Sequence, residues 1–180
     1  SISFTPRRSG VRSPLHPLIM ITNEELQIIY EWGMVTELPY RKAPTAVGYS
    51  NMDIYMSWLK GSRHRESGKG FHGVRASVVD DQRVVDILNR DEVLFATGAY
   101  FLPGTELGPH RDPNVYQKKY SRIQIPLVVD PDNCYMVWKG EKKYWESGKF
   151  ERYDVMDHVH EGYNFSEDPM EFIFIDVIKE

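Results

Sequence analysis

Two histidine-bearing clusters carry the residue types and spacing that could do chemistry. His110-Arg111-Asp112 offers an imidazole and a carboxylate at positions i and i+2, and His158-Val159-His160 offers two more imidazoles farther along the chain. In an extended segment, side chains two apart point to one face, so His110 and Asp112 can reach one ion while Arg111 turns away. A third imidazole from a distant strand, His160 or its neighbour His158, would complete one face of an octahedron. Two imidazoles and one carboxylate leave coordination positions open, the arrangement associated with oxygen activation at non-haem Fe(II). Zinc accepts the same donors, so the spacing alone leaves a zinc site as the competing reading. An H-x-D triplet by itself also occurs by chance or in surface turns, and the second histidine cluster is what gives this one weight.

The elements around these clusters change character along the chain. Residues 1–20 contain Pro6, Pro14 and Pro17 and read as an irregular arm. Thr22 or Asn23 could cap a helix that begins at Glu24-Glu25 and continues through Leu26, Ile29, Tyr30 and Gly33 at helical spacing. A proline- and glycine-bearing linker is expected over 39–50, a short helix over 52–59 and a glycine-rich, basic loop over 61–73. Val79, Val84, Val85 and Leu88 support a further helix ending near Asn89 or Arg90. Beyond it, segments 93–102, 121–129, 135–138, 150–155 and 171–178 are β-rich and separated by Gly, Pro, Asp and Asn turns. Helices first and strands afterwards predict a mainly β fold, a barrel or double-sheet jelly roll with a helical N-terminal layer. Neighbouring strands of such a fold bring side chains into one interior cavity, as a buried metal requires.

Composition narrows the partners. The 180 residues suit one domain with a substantial core, and the 41% hydrophobic and 27% charged content is that of an ordinary globular protein. A net charge of -4 argues against charge-driven binding to nucleic acid or anionic membrane. No stretch approaches the roughly 18 apolar residues of a membrane helix, and the first residues do not read as a secretory signal. The single cysteine, Cys134, cannot form an intramolecular disulfide, which points to a reducing, cytoplasmic setting.

The ordered series of motifs resembles the aspartyl/asparaginyl β-hydroxylase family of Fe(II)/2-oxoglutarate oxygenases. Tyr100-Phe101-Leu102-Pro103-Gly104-Thr105 followed by Pro109-His110-Arg111-Asp112 is similar to the family's first metal motif, and Arg122-Ile123-Gln124-Ile125-Pro126-Leu127 to its R-x-H-x-P-L strand. Gly148, Tyr153-Asp154 and His160-Glu161-Gly162-Tyr163-Asn164 resemble the turn, strand and distal histidine stretch, and Phe172-Ile173-Phe174-Ile175-Asp176-Val177 the closing strand. The resemblance covers residues 93–178. It implies a jelly-roll, cupin-like double-stranded β-helix with N-terminal helices on one sheet, a single oxygenase-like domain with arm 1–20, helical layer 21–92 and core 93–178. It also implies iron held by His110, Asp112 and His160. Asn164 follows His160 at the family's spacing, whereas the distance from Gly148 is one residue longer than the commonest pattern, so His158 stays open as the distal ligand.

The same resemblance implies 2-oxoglutarate as co-substrate, oxidised to succinate and CO2 while an aliphatic C–H of an amino acid or peptidyl residue becomes C–OH. One departure bears on this. Met170 stands where the family places an arginine for the far carboxylate of 2-oxoglutarate, and Met cannot replace a two-donor fork. Arg122, with Gln124 as a neutral donor, is then the leading candidate for holding that anion, and Lys118 and Lys119 could form a basic lip. Alternatives on the same barrel are an Fe dioxygenase that does not use 2-oxoglutarate, a zinc hydrolase, or a noncatalytic small-molecule or peptide-binding domain. Trp138, Trp145, Tyr135 and Tyr153 are expected to be mostly wall or core aromatics. Arg63, His64, Arg65, Lys69 and His72 are expected in a solvated loop or substrate lid, Arg75 is a further candidate for an anionic substrate group, and Cys134 is read as a small buried hydrophobe.

Overall fold

The computed structural model describes residues 20–42, 54–61, 73–113, 116 and 118–179. The expected arm before Met20, most of the 39–50 linker and the basic residues Arg63, His64, Arg65, Lys69 and His72 lie outside the described residues.

Helix α1 (Asn23–Val35) starts where the sequence supplies a reciprocal cap. The Thr22 hydroxyl accepts from the Glu25 amide, and the Glu25 carboxylate accepts from the Thr22 amide. Leu26, Ile29, Trp32 and Gly33 form its buried stripe. At Gly33 the helix lies so close to the sheet that an added Cβ would sit 2.8 Å from Ile173 Cδ1 and 3.0 Å from Leu127 Cδ2. Helix α2 (Gln82–Leu88) is capped by Asp81, which accepts from the Arg83 amide, so it begins after Val79 rather than at it. Trp32 Nε1 donates to Asp80 Oδ1 at 2.9 Å and ties α1 to the segment that leads into α2.

Ten strands form two antiparallel sheets among the described residues. The larger has the order β1 (Arg41–Lys42), β2 (Ile54–Lys60), β3 (Val93–Phe101), β10 (Met170–Ile178), β5 (Tyr120–Val128), β8 (Glu151–Tyr153). The smaller runs β4 (Glu106–His110), β9 (His160–Asn164), β6 (Cys134–Trp138), β7 (Glu141–Tyr144). The fold is a mainly β double-stranded β-helix with its N-terminal helices packed on one sheet. The short helix expected over 52–59 is instead β2, paired antiparallel with β3 from Ile54 opposite Phe101 onward. Pairing along a long central strand satisfies backbone groups that a two-turn helix would leave mostly unpaired at its ends.

Alternation along β5 and β10 divides the core in two. Ile123, Ile125, Leu127, Ile173, Ile175 and Val177 face the helices in one cluster with Leu26, Ile29 and Trp32. The opposite faces look between the sheets, where Tyr120, Phe172, Met170, Phe95, Met136 and Trp145 form the second cluster. Each such side chain removed from water contributes roughly 1.5–3 kcal/mol, so both layers are strongly held. Cys134, Tyr135, Trp145 and Tyr153 are buried, as their sequence reading expects. No helix among the described residues is long and apolar enough to cross a membrane.

Candidate metal centre

The smaller sheet brings the two histidine clusters together. His110 ends β4 and His160 begins β9, and the two are directly opposed in the antiparallel register. Their rings lie 4.2 Å apart between centroids. Asp112 follows β4, its backbone amide donating to Val155 O at 3.0 Å. Its Oδ1 stands 3.7 Å from His110 Nε2 and 3.8 Å from His160 Nε2. One ligand atom from each of the three side chains falls within 4.8 Å of the others. No other such group occurs among the described residues.

Each imidazole is turned toward this centre from behind. His110 Nδ1 donates to Gly108 O at 2.7 Å, and His160 Nδ1 donates to His158 O at 3.2 Å. A carbonyl can only accept, so in the neutral form of each ring Nδ1 carries the proton and the Nε2 lone pair faces the common point. Burial, reinforced by the neighbouring His110, lowers the His160 pKa and favours the neutral, ligating form. His158, the alternative ligand, contributes its backbone carbonyl, while its ring packs edge-on against Trp138 at 5.3 Å.

Behind Asp112 lies a buried ionic relay. Arg122 Nη1 stands 2.5 Å from Asp112 Oδ2. Arg122 Nε and Nη2 donate to the two oxygens of Asp176 at 2.7 and 3.0 Å, and Tyr116 OH donates to Asp176 Oδ2 at 2.9 Å. Arg122 and Asp176 are opposite partners on β5 and β10, so strand register itself creates the pair. Burial works against the Arg122 charge, but the Asp112 and Asp176 carboxylates outweigh it and hold the guanidinium firmly protonated. The Phe174 ring lies 5.4 Å from the guanidinium carbon. All three nitrogens of Arg122, the candidate for a co-substrate carboxylate, are engaged by carboxylates of the protein itself.

Gln124 shares the Arg122 face of β5. Trp145 Nε1 donates to its Oε1 at 2.8 Å, which fixes the acceptor end of the amide and leaves the NH2 end directed elsewhere. Gln124, Arg122, His110 and His160 line a cavity of about 60 Å3 whose remaining wall is mostly apolar and includes Met170. A larger hollow of about 490 Å3, lined by Ile21, Leu26 and Phe150 among others, sits on the helix side of the sheet, away from the triad. Lys118, Lys119 and Arg75 do not line the small cavity. Asp154 pairs with Lys179 at 2.8 Å in a partly exposed bridge.

Asp176 and Tyr116 escaped attention as site residues in the sequence. The signal for Asp176 was there: a lone carboxylate in the otherwise apolar run of β10 needs a buried partner. Asn164 proves to be a structural hub. Its Nδ2 donates to the carbonyls of Phe101, Leu102 and Asp168, and its Oδ1 accepts from Ser166. It thereby fixes the end of β9 against the turn that leads into β4.

A double-stranded β-helix with two histidines and an aspartate converging between its sheets defines a class of protein equipped to hold a divalent metal. Residues 55–180 match the aspartyl/asparaginyl beta-hydroxylase family, and the chain belongs to it. No curated protein matches. Among solved structures, the chain is similar to an oxidoreductase of the 2OG-Fe(II) oxygenase family from Burkholderia pseudomallei. That match has 13% identity and a TM-score of 0.56, and covers 86% of this chain and 78% of the other. A predicted oxalate decarboxylase from Thermotoga maritima matches at 13% identity and TM-score 0.44, covering 70% and 81%. KdgF from Halomonas sp. matches at 10% and 0.41, covering 71% and 81%. At these identities the likeness concerns the fold.

Proposed function

We propose that residues 1–180 form one oxygenase-like domain, an Fe(II)-dependent hydroxylase that couples oxidation of a 2-oxo acid to hydroxylation of an aliphatic carbon in an amino acid or peptidyl residue. His110, Asp112 and His160 are its metal ligands. The observation that carries this reading is the convergence of their three ligand atoms within 4.8 Å, with both Nδ1–H groups tied back to carbonyls. Membership of a hydroxylase family supports it. Iron held by His110, Asp112 and His160 would supply the oxidising chemistry, in which a 2-oxo acid loses CO2 and gains one oxygen atom of O2 while the other becomes the substrate's hydroxyl.

The protein's own part is positional. Gly108 and His158 carbonyls set the imidazole tautomers, and Arg122 holds Asp112 with one oxygen toward the histidines and the other away. The aromatic walls between the sheets exclude water from the reacting atoms. The single buried Cys134 suits the cytoplasmic setting proposed for a ferrous enzyme.

2-Oxoglutarate, the co-substrate implied by the family resemblance, fits this site by one end. Its 2-oxo acid group suits the metal, and we assign Arg122 and Gln124, which line the cavity, to the wall on its co-substrate side. Its second carboxylate does not fit: Met170 occupies the expected arginine position, buried to 1% exposure, and Arg122 is already engaged by two aspartates.

The function is tested by loading the protein with Fe(II) and supplying ascorbate, a panel of 2-oxo acids, and amino acids or peptides. O2 consumption, CO2 release and a product heavier by one oxygen atom are expected, all lost in His110→Ala. Tight retention of zinc with no O2 consumption across the panel would contradict the proposal and favour a hydrolase.

A further inference from the structure

Resting on the 2-oxo acid reading above, we infer that the acid bound beside the metal carries a single carboxylate and a neutral tail: a 2-oxo monocarboxylic acid rather than 2-oxoglutarate.

The walls of the triad cavity carry the inference. Beyond the histidines they are formed by Phe101, Met136, Met170, Phe172 and Phe174, with Gln124 and Arg122 as the donors among the described residues. Met170 and Phe101 are opposite partners on β10 and β3, and both are almost fully buried, so this wall is part of the packed inter-sheet core rather than a surface that a solvated charge could reach. A carboxylate placed against it without a cation would lose its hydration with nothing to replace it.

Arg122 does not supply that cation. To fork a ligand carboxylate it would have to release Asp112 or Asp176, leaving one of them buried and uncompensated. Glu161, also on the lining, adds negative charge rather than positive. Gln124 offers a neutral amide, held by Trp145, and this suits a tail with a weak acceptor or none. Met170 contributes a flexible thioether side chain that adapts to aliphatic or aromatic tails.

The test is an anaerobic titration of the Fe(II)-loaded protein, read by the visible charge-transfer band and by calorimetry. The ligands are 2-oxoglutarate, 2-oxopentanoate, which has the same carbon chain with a methyl in place of the second carboxylate, and 4-methyl-2-oxopentanoate. Wild-type protein is expected to bind the two neutral-tailed acids at least about tenfold more tightly than 2-oxoglutarate. Met170→Arg should reverse that order, and Met170→Leu, which keeps the wall apolar, should preserve it. Equal or tighter binding of 2-oxoglutarate by the wild type overturns the inference whether or not the arginine variant folds. Uptake of Fe(II) with no band and no heat from any of the acids would instead overturn the 2-oxo acid reading beneath it.

Discussion

The two faces of β5 and β10 share a backbone and differ in everything else. Toward the helices they present Ile123, Ile125, Leu127, Ile173, Ile175 and Val177, all aliphatic and closed over by α1 and α2. Toward the second sheet the same strands present Arg122, Gln124 and Asp176 among Phe172 and Phe174, next to the triad. The period of two along a strand lets adjacent residues serve unrelated purposes: Ile175 fills the helix-side core, and Asp176 anchors the arginine that holds Asp112. A rigid aliphatic face behind the strands keeps the charged face in register.

Three substitutions probe that division. The largest effect is expected for Asp176→Ala, which leaves Arg122 buried with half its partners gone. A loss of about 3–5 kcal/mol in denaturant unfolding is expected, together with metal affinity weaker by about 10–100-fold because Asp112 loses its support. Unchanged metal affinity would show that the relay is only structural. Next comes Ile125→Ala on the opposite face, expected to lower stability by about 2–5 kcal/mol while metal affinity in the folded protein stays at the wild-type value. A parallel fall in affinity would break the separation of the two faces.

The smallest effect concerns the helix layer. The Arg90 guanidinium hydrogen-bonds Glu25, and with the Thr22 amide it outweighs burial and holds that carboxyl below the usual carboxylate range. A depressed folded-state pKa means the contribution is complete above the unfolded value near 4.5 and disappears as pH falls through the lower folded value. Arg90→Ala should therefore lower Tm modestly at neutral pH, with the gap to wild type closing below about pH 4. A gap independent of pH would assign Arg90 a packing role instead.

The sequence made the chemistry more legible than the elements that carry it. The i, i+2 spacing of His110 and Asp112 and the distal histidine pair were readable because ligand types are rare and ordered. The cap at Thr22 and the apolar runs of β3, β5 and β10 were readable from local rules. The smaller sheet was harder: β4 (ELGPH), β7 (EKKY) and β9 (HEGYN) lack apolar alternation, because two of them are composed around the site and the other is an exposed edge. β2 (IYMSWLK) reads as helical in the sequence, since a short apolar run has no decisive period and a register shift between Trp58 and Lys60 breaks what alternation it has. The engagement of Arg122 by Asp176 depends on two strands from distant parts of the chain lying side by side, information that no single segment contains.

The central claim is that His110, Asp112 and His160 hold iron, and the most direct measurement is Fe(II) binding by wild type, His160→Ala and His158→Ala under anaerobic conditions. The proposed ligand set predicts stoichiometric binding in the wild type, loss of binding in His160→Ala, and near wild-type binding in His158→Ala, whose backbone carbonyl remains to orient His160. Loss of iron in His158→Ala with retention in His160→Ala would contradict the assignment.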